Sequence, residues 1–408
     1  DSCQKRKRNR MHAFVLLIEA MATGAAVSEK PNCSPPHPLL VWLSSIGGHV
    51  GPVEIKPSRH GQGLGAFLTT AVDDGSVLFA VPASAFISLG DALAHPVVGT
   101  QLTLLWQSNE FDDCGVTVLA GLIAHLQLNR NSESDAHPYL HMLPAAGSQN
   151  HVLWWTTAEL ELLEGTSAHE EVLSLRAEVD AASRKLCACT LAGDVLLHGE
   201  GAVEAAVRAA FVSVLSRGYG VLSRDGHACK AMVPLLDVLN HASSPTVDYS
   251  FHPASSDKSE APGGHACGGL VIACAIGACP AGQELLASYG EQTELVFALH
   301  YGFLPSGPCP TFARLESLGM EAQEVGTRVE LMRTGSGEDG ADVTGLVKAE
   351  ACVKADLLEA AIDDSVGPST AAARAASAAS FRMARSLRRS EAQLLRRLAS
   401  STTRRAVS

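Results

Sequence analysis

Three short stretches of this chain set polar or conformationally free residues against an apolar background, in a way that suits ligand chemistry. The first is Gly61-Gln62-Gly63-Leu64-Gly65-Ala66. The second is Pro234-Leu235-Leu236-Asp237-Val238-Leu239-Asn240-His241, which reads as an apolar strand ending abruptly in an amide and an imidazole. The third is Glu284-Leu285-Leu286-Ala287-Ser288-Tyr289-Gly290, followed by Glu294 and by Tyr301-Gly302-Phe303. Glycines at alternate positions allow a backbone to approach a ligand closely. A dinucleotide site would need a helix opening directly from those glycines, with its N-terminus on the pyrophosphate, and the sequence that follows is β-like. Each stretch also has a plainer reading on its own. Glycine marks turns in general, His241 suits a buried histidine with satisfied hydrogen bonds, and tyrosine is common in strands.

The elements that must position these stretches are legible as texture. From Gly51 the chain shows short β-like runs, and Ala66 to Thr70 and Val77 to Val81, flanking Asp74-Gly75, read as a hairpin. Between Asp91 and Ala210 the period turns helical, with Leu102, Leu105 and Trp106, then Leu119, Leu122, Ile123 and Leu126, then Leu160, Leu162 and Leu163. Strand texture returns at Met232 to Val238, Leu270 to Ala275 and Glu284 to Tyr289, the last two joined by the turn Pro280-Ala281-Gly282. From about Val347 the chain is rich in Ala, Leu and Arg, with Leu387, Leu394, Leu395 and Leu398 at helical spacing. Thr334 to Gly345 reads as a linker. The fold class is α+β, with a β half split in sequence.

Composition narrows the function. The chain has 408 residues, of which 46% are hydrophobic, enough for real cores. A formal net charge of -12 argues against non-specific nucleic-acid binding, which needs many cations on phosphates, and suits a basic protein partner. Eleven cysteines include no CxxC pair, and the spacing of Cys267, Cys274 and Cys279 matches no structural zinc site, so no metal is expected. No stretch is long enough to span a membrane. Near the start, the basic run Lys5 to Arg10 precedes the apolar Ala13 to Ile18, which suits a targeting segment or a plain helical or disordered extension.

The order and identity of the three stretches resemble the SET domain, in the branch typified by the Rubisco large-subunit lysine methyltransferase, over roughly Pro52 to Pro305. The run His137-Pro138-Tyr139-Leu140-His141-Met142-Leu143-Pro144, with Leu153-Trp154-Trp155 and Glu159 to Thr166, is similar to that branch's helical insertion. The resemblance implies an N-terminal extension over 1–36, a SET domain over 37–305 with a helical insertion at about 91–210, and a mostly helical C-terminal region over 306–408. The SET core would consist of small twisted sheets, and the C-terminal region would be a reduced substrate-binding domain.

The same resemblance implies an S-adenosylmethionine-dependent protein methyltransferase acting on lysine. The alternatives it leaves are a histidine methyltransferase of the same fold and a non-catalytic SET-like binding module. It implies that Gly63, Leu64, Gly65, Asn240 and His241 contact the cofactor, that Arg217 pairs its carboxylate, and that the Phe303 ring lies beside its adenine. Tyr289 takes the catalytic place, and Tyr219, Leu236, Phe251 and Tyr301 line the substrate channel. Where relatives place a second tyrosine, the chain reads Asp248-Tyr249-Ser250-Phe251, so Phe251 stands in the place of a channel hydroxyl. The partner would be a protein presenting a basic side chain to a monomeric enzyme, with no nucleic acid and no membrane. A free lysine has a pKa of about 10.4, so its channel must strip a proton before attack, and a narrow apolar passage does that.

Overall fold

The structure, a computed structural model, describes residues 36–59, 63–111, 113–130, 138–222, 228–253, 269–307, 309–318, 320–325, 328–333, 344–361 and 377–400. The extension over 1–35, Gly61, Gln62, His137, Cys267 and most of the expected linker lie outside the described residues. The chain divides into two compact units, Asp1–Pro144 with Ala182–Tyr289, and Ala145–Ala181 with Gly290–Ser408. The expected boundary at 305/306 therefore falls inside the second unit, and the expected insertion is shared by both.

In the first unit, helix α1 (Pro38–Ser45) precedes strands β1 (His49–Val50), β2 (Val53–Pro57), β3 (Leu64–Leu68), β4 (Val77–Pro82) and β5 (Ile87–Ser88). Helices α2 (Leu89–Ala94), α3 (Gly99–Ser108) and α4 (Val116–Leu128) follow. In the second unit come α5 (Thr157–Glu161) and α6 (Ser167–Lys185), and the chain re-enters the first unit within α6. Then come α7 (Ala192–His198), α8 (Glu200–Arg217), β6 (Gly218–Leu222), β7 (Ala228–Met232), β8 (Asn240–His241), β9 (Val247–Pro253), β10 (Gly269–Ala275) and β11 (Glu284–Ala287). The second unit closes with β12 (Phe312–Leu315), β13 (Met320–Val325), β14 (Arg328–Arg333), α9 (Thr344–Ala360) and α10 (Ala378–Ser400).

The main sheet runs β1-β4-β10-β9-β11-β3-β2, with β8 beside β11. Strands β5, β7 and β6 form a second small sheet. The expected hairpin is not formed. β3 pairs with β2 and β11, whereas β4 pairs with β1 and β10. The eight residues between β3 and β4 exceed a tight hairpin turn, and their polar groups go elsewhere: Val72 and Cys279 exchange backbone bonds, Gly75 N–H donates to Ala275 O, and Gly277 N–H donates to Asp74 Oδ1. Two turns thus brace each other, and β3 is freed to pair with β11.

Helix α4 is apolar on all sides, with every residue from Thr117 to His125 buried, as befits a helix at a core centre. The Asp113 carboxylate caps it by accepting from Gly115 N–H at 3.0 Å and Thr117 N–H at 2.7 Å. It packs on α8, whose buried face runs Val203, Val207, Ala210, Phe211 and Val214. This packing fixes the end of α8, from which Arg217 leaves.

The second unit has two apolar clusters. One joins the β12–β14 sheet to α9 and α10 through Ala313, Leu315, Ala322, Val347, Ala351, Leu358, Leu394, Leu395 and Leu398. The other joins Trp155, Leu163 and Val172 to Leu299, Met383 and Leu387. The three strands over 312–333 are a departure from the helical expectation for 306–408. They alternate: Ala313 and Leu315 are buried, while Phe312 and Arg314 are only partly covered. The other face mixes Arg314, Glu321 and Glu330 with Phe312, Gln323 and Met332, so the run lacks the continuous apolar texture of a core strand.

Candidate active site

Strand β11 is the hub. Its first half pairs antiparallel with β3, Glu284 opposite Phe67 and Leu285 opposite Ala66. Its second half pairs parallel with β8, Leu286 opposite Asn240 and Ala287 opposite His241, and Ala287 also pairs with Val247 of β9. One four-residue strand therefore gathers the described end of the glycine-rich stretch, the Asn-His pair and the tyrosine that follows Ser288. The rejection of a dinucleotide site stands on the same geometry, since Gly63 leads into a strand and not a helix.

The segment read as a strand over 232–238 is different. β7 ends at Met232, Leu235 takes the left-handed φ of 69°, and Leu236–Val238 form a single 3-10 turn. Pro234 brings no N–H to a ladder, which ends strand pairing there. A left-handed leucine is a strained position of the kind that clusters at functional sites. Its consequence is a row of carbonyls turned to one place. Tyr219 Oη donates to Leu236 O at 3.0 Å, Arg217 Nη1 donates to Asp237 O at 3.1 Å, and Tyr289 Oη donates to Leu239 O at 2.9 Å.

Four of the chain's five tyrosines meet around this turn. Tyr139, fully buried, donates to Asp237 Oδ2 at 2.9 Å. The Tyr219 ring meets Tyr249 edge-on, with centroids 5.6 Å apart. Burial first holds the hydroxyls of Tyr139 and Tyr219 well above the ordinary tyrosine range, followed by the charge of Asp237 for Tyr139 and by Tyr289 and then Asp237 for Tyr219. Both remain protonated donors at neutral pH.

Asp237 also receives Arg217, whose Nη1 lies 3.2 Å from Oδ2. Burial raises the Asp237 carboxyl against the pull of Arg217. For Arg217 burial is the largest single influence and lowers its pKa, but Asp237, Tyr139 and Tyr289 together outweigh it, and the guanidinium stays charged. Two atoms of this pair have no hydrogen-bond partner although buried, Arg217 Nε and Asp237 Oδ1. Buried polar atoms are normally satisfied, so a donor and an acceptor left open side by side fit a ligand carrying both kinds of group.

His241 accepts from Tyr289 N–H through Nδ1 at 3.2 Å, and its ring lies 5.2 Å from that of Tyr289. Burial lowers its pKa, which keeps the accepting nitrogen free of a proton. Asn240 reaches the glycine-rich stretch: its Nδ2 donates to Leu64 O at 3.1 Å and to Glu284 Oε1 at 3.0 Å.

Of the residues read from the sequence, the structure brings together Gly63, Leu64, Gly65, Arg217, Tyr219, Leu236, Asn240, His241 and Tyr289. Phe251 lies on β9 two positions beyond Tyr249, opposite Val271 of β10. It is Tyr249, not Phe251, whose ring meets Tyr219. Tyr301 and Phe303 belong to the second unit, where both pack on Phe297 at 5.5 Å between centroids. Sequence reading passed over Tyr139, Asp237 and Glu284 as site residues. The signal for Asp237 was present, as a lone acid inside an apolar run. Among the described residues no group of His, Cys, Asp and Glu is placed to hold a metal. No helix among them is long and apolar enough to cross a membrane.

No family model matches the chain. It is 25% identical over 309 residues to N-lysine methyltransferase SETD6 of Bos taurus, a match covering 72% of this chain and 63% of the bovine protein. It is 30% identical over 141 residues to the SETD6 of Rattus norvegicus, covering 33% of this chain and 27% of the rat protein. The chain thus spans less than two thirds of the length of these relatives. Among solved structures, the SET domain of LSMT bound to lysine and AdoHcy superposes with a TM-score of 0.59 at 16% identity, covering 88% of this chain and 89% of that one. Rubisco LSMT bound to AdoMet gives a TM-score of 0.56 at 14% identity over the same shares. These superpositions show that the chain has the SET-domain fold.

Proposed function

We propose that the chain is an S-adenosylmethionine-dependent protein methyltransferase that methylates a lysine side chain of a protein substrate. The observation that carries the reading is the convergence on β11, where Leu64, Asn240, His241 and Tyr289 meet beside a buried Arg217–Asp237 pair with one donor and one acceptor unfilled. The relatives bear the same activity in their names, and LSMT has been solved with lysine and AdoHcy.

The residues present fit the cofactor. Arg217 Nε offers a charged donor for a carboxylate, Asp237 Oδ1 an acceptor for an ammonium, and Gly63 and Leu64 an exposed stretch of backbone. When bound, the cofactor supplies a methyl carbon already made electrophilic by a sulfonium, so the chain need only hold a neutral amine in line. Tyr289 does this holding. Its hydroxyl hydrogen is committed to Leu239 O, which leaves the oxygen lone pairs to accept an amine N–H and turn the nitrogen lone pair forward. The carbonyls of the 236–239 turn offer further acceptors in a place walled by Tyr219, Tyr249 and Leu236, where a charged ammonium is poorly solvated. Substrate, monomeric state and freedom from nucleic acid and membrane belong to the same proposal.

Labelled methyl transfer to a lysine-bearing extract, with mass spectrometry of the labelled band, tests the reading. Tyr289→Phe removes one oxygen at a half-buried position. It is expected to lower turnover about a hundredfold or more, in line with loss of a positioned polar group, while folding normally. Wild-type turnover in that variant would remove Tyr289 from the catalytic place.

A further inference from the structure

Resting on that reading, we infer that Glu284 is a positioning residue of the cofactor site, the clasp that shapes the glycine-rich edge and ties it to Asn240. The side chain is buried, yet the reaction gives it no part. Its Oε1 accepts from Ser58 Oγ at 2.7 Å and from Asn240 Nδ2 at 3.0 Å, and its Oε2 accepts from Arg59 N–H at 2.9 Å. All three partners donate, and they come from two stretches more than 170 residues apart in sequence.

The same carboxylate explains a glycine. At Gly65 a Cβ would run into Glu284 Oε1, so the strand can pass the carboxylate only without a side chain. The edge is pinned at two successive carbonyls: Ser58 N–H donates to Gly63 O at 3.0 Å, Gly63 takes the left-handed φ of 106°, and Asn240 Nδ2 holds Leu64 O. Glu284 thus holds Ser58 and Arg59 on one side and Asn240 on the other, and sets the gap between them. Tyr289 follows β11 by two residues, and its hydroxyl has its own anchor on Leu239 O, apart from the clasp.

Glu284→Gln tests this with little change of volume. One amide oxygen keeps two of the donors, and the new NH2 faces a donor, so one bond is lost and a repulsion replaces it. Ser58→Ala, which removes a single donor from a partly exposed loop, serves as a second and milder variant. Titration calorimetry with S-adenosylmethionine, initial rates at saturating donor and amide hydrogen exchange at Arg59 are measured together. The expected result is at least a tenfold rise in the Kd for S-adenosylmethionine in Glu284→Gln and a smaller rise in Ser58→Ala. Turnover at saturating donor should stay within about threefold of wild type, and exchange at Arg59 should be faster.

A merely structural residue would instead lower stability with affinity unchanged in the folded fraction, and that outcome overturns the inference while leaving the methyltransferase reading intact. Failure of the wild-type chain to bind S-adenosylmethionine overturns the reading itself and the role of Glu284 with it.

Discussion

Each unit buries an ion pair, and the two pairs are finished differently. In the second unit Lys354 Nζ lies 3.1 Å from Glu391 Oε1 and also reaches Glu316 Oε1, Arg314 O and Ser167 Oγ, while Glu391 takes the backbone and hydroxyl donors of Ser167. Neither side chain has an unpartnered buried atom. In the first unit Arg217 and Asp237 are equally committed to each other, yet each keeps one buried atom open. A saturated pair holds its own fold together; an unsaturated one is built to be completed by something else. Burial of charge alone therefore says little about function, and the count of unfilled lone pairs and N–H groups says more.

The contrast can be broken most sharply at Lys354. Lys354→Met leaves Glu391 buried without its cation and should destabilise the chain by about 3 to 5 kcal/mol in urea titration, with cofactor affinity unchanged in the folded fraction. A loss under 1 kcal/mol would show that the pair holds nothing.

Acid should act on the second unit next. His151 is buried, Nδ1 accepts from Leu153 N–H, and burial lowers its pKa to about 4 despite the bond to His300 O. The unfolded chain takes up a proton near the ordinary 6.5 and the folded chain resists it, so this contribution is complete above about pH 6.5 and lost as pH falls toward 4. The loss is about 3 kcal/mol at full extent, and it should vanish in His151→Gln when thermal midpoints are compared across that window.

The smallest effect on stability belongs to Arg217. In Arg217→Met the abandoned Asp237 can take a proton on its open Oδ1 while Oδ2 still accepts from Tyr139, at a cost of about 1 kcal/mol, whereas both oxygens of Glu391 face donors of Ser167. Cofactor affinity should fall at least tenfold, measured by calorimetry. Equal damage to stability from Arg217→Met and Lys354→Met would erase the distinction between the two pairs.

Much of the fold was legible because its signals are local. The helical period over Leu102 to Leu126 needs no distant partner to be read. What failed depended on distant pairing. Asp74-Gly75 is a true turn, but the strands on either side find partners over 180 residues away, in β10 and β11. The 3-10 turn at Leu236–Val238 was hidden inside a run apolar enough for a strand, which Pro234 and the left-handed Leu235 break. In the site, Asn240, His241 and Tyr289 stood out as polar endings of apolar runs. Tyr139 did not, because nothing in its neighbourhood says that its hydroxyl will meet an aspartate 98 positions later.

Strand β11 has a temporal consequence. Ser58 and Glu284 are 226 residues apart, and Arg59 and Glu284 nearly as far, so their bonds close some of the longest loops in the chain. Such contacts form late, after local helices and turns have already condensed. During synthesis the glycine-rich edge must wait, without its clasp, until the residue 226 positions after Ser58 has emerged. A nascent chain stalled between Asn240 and Glu284 would carry the helices of its first unit with the glycine-rich edge still unclasped.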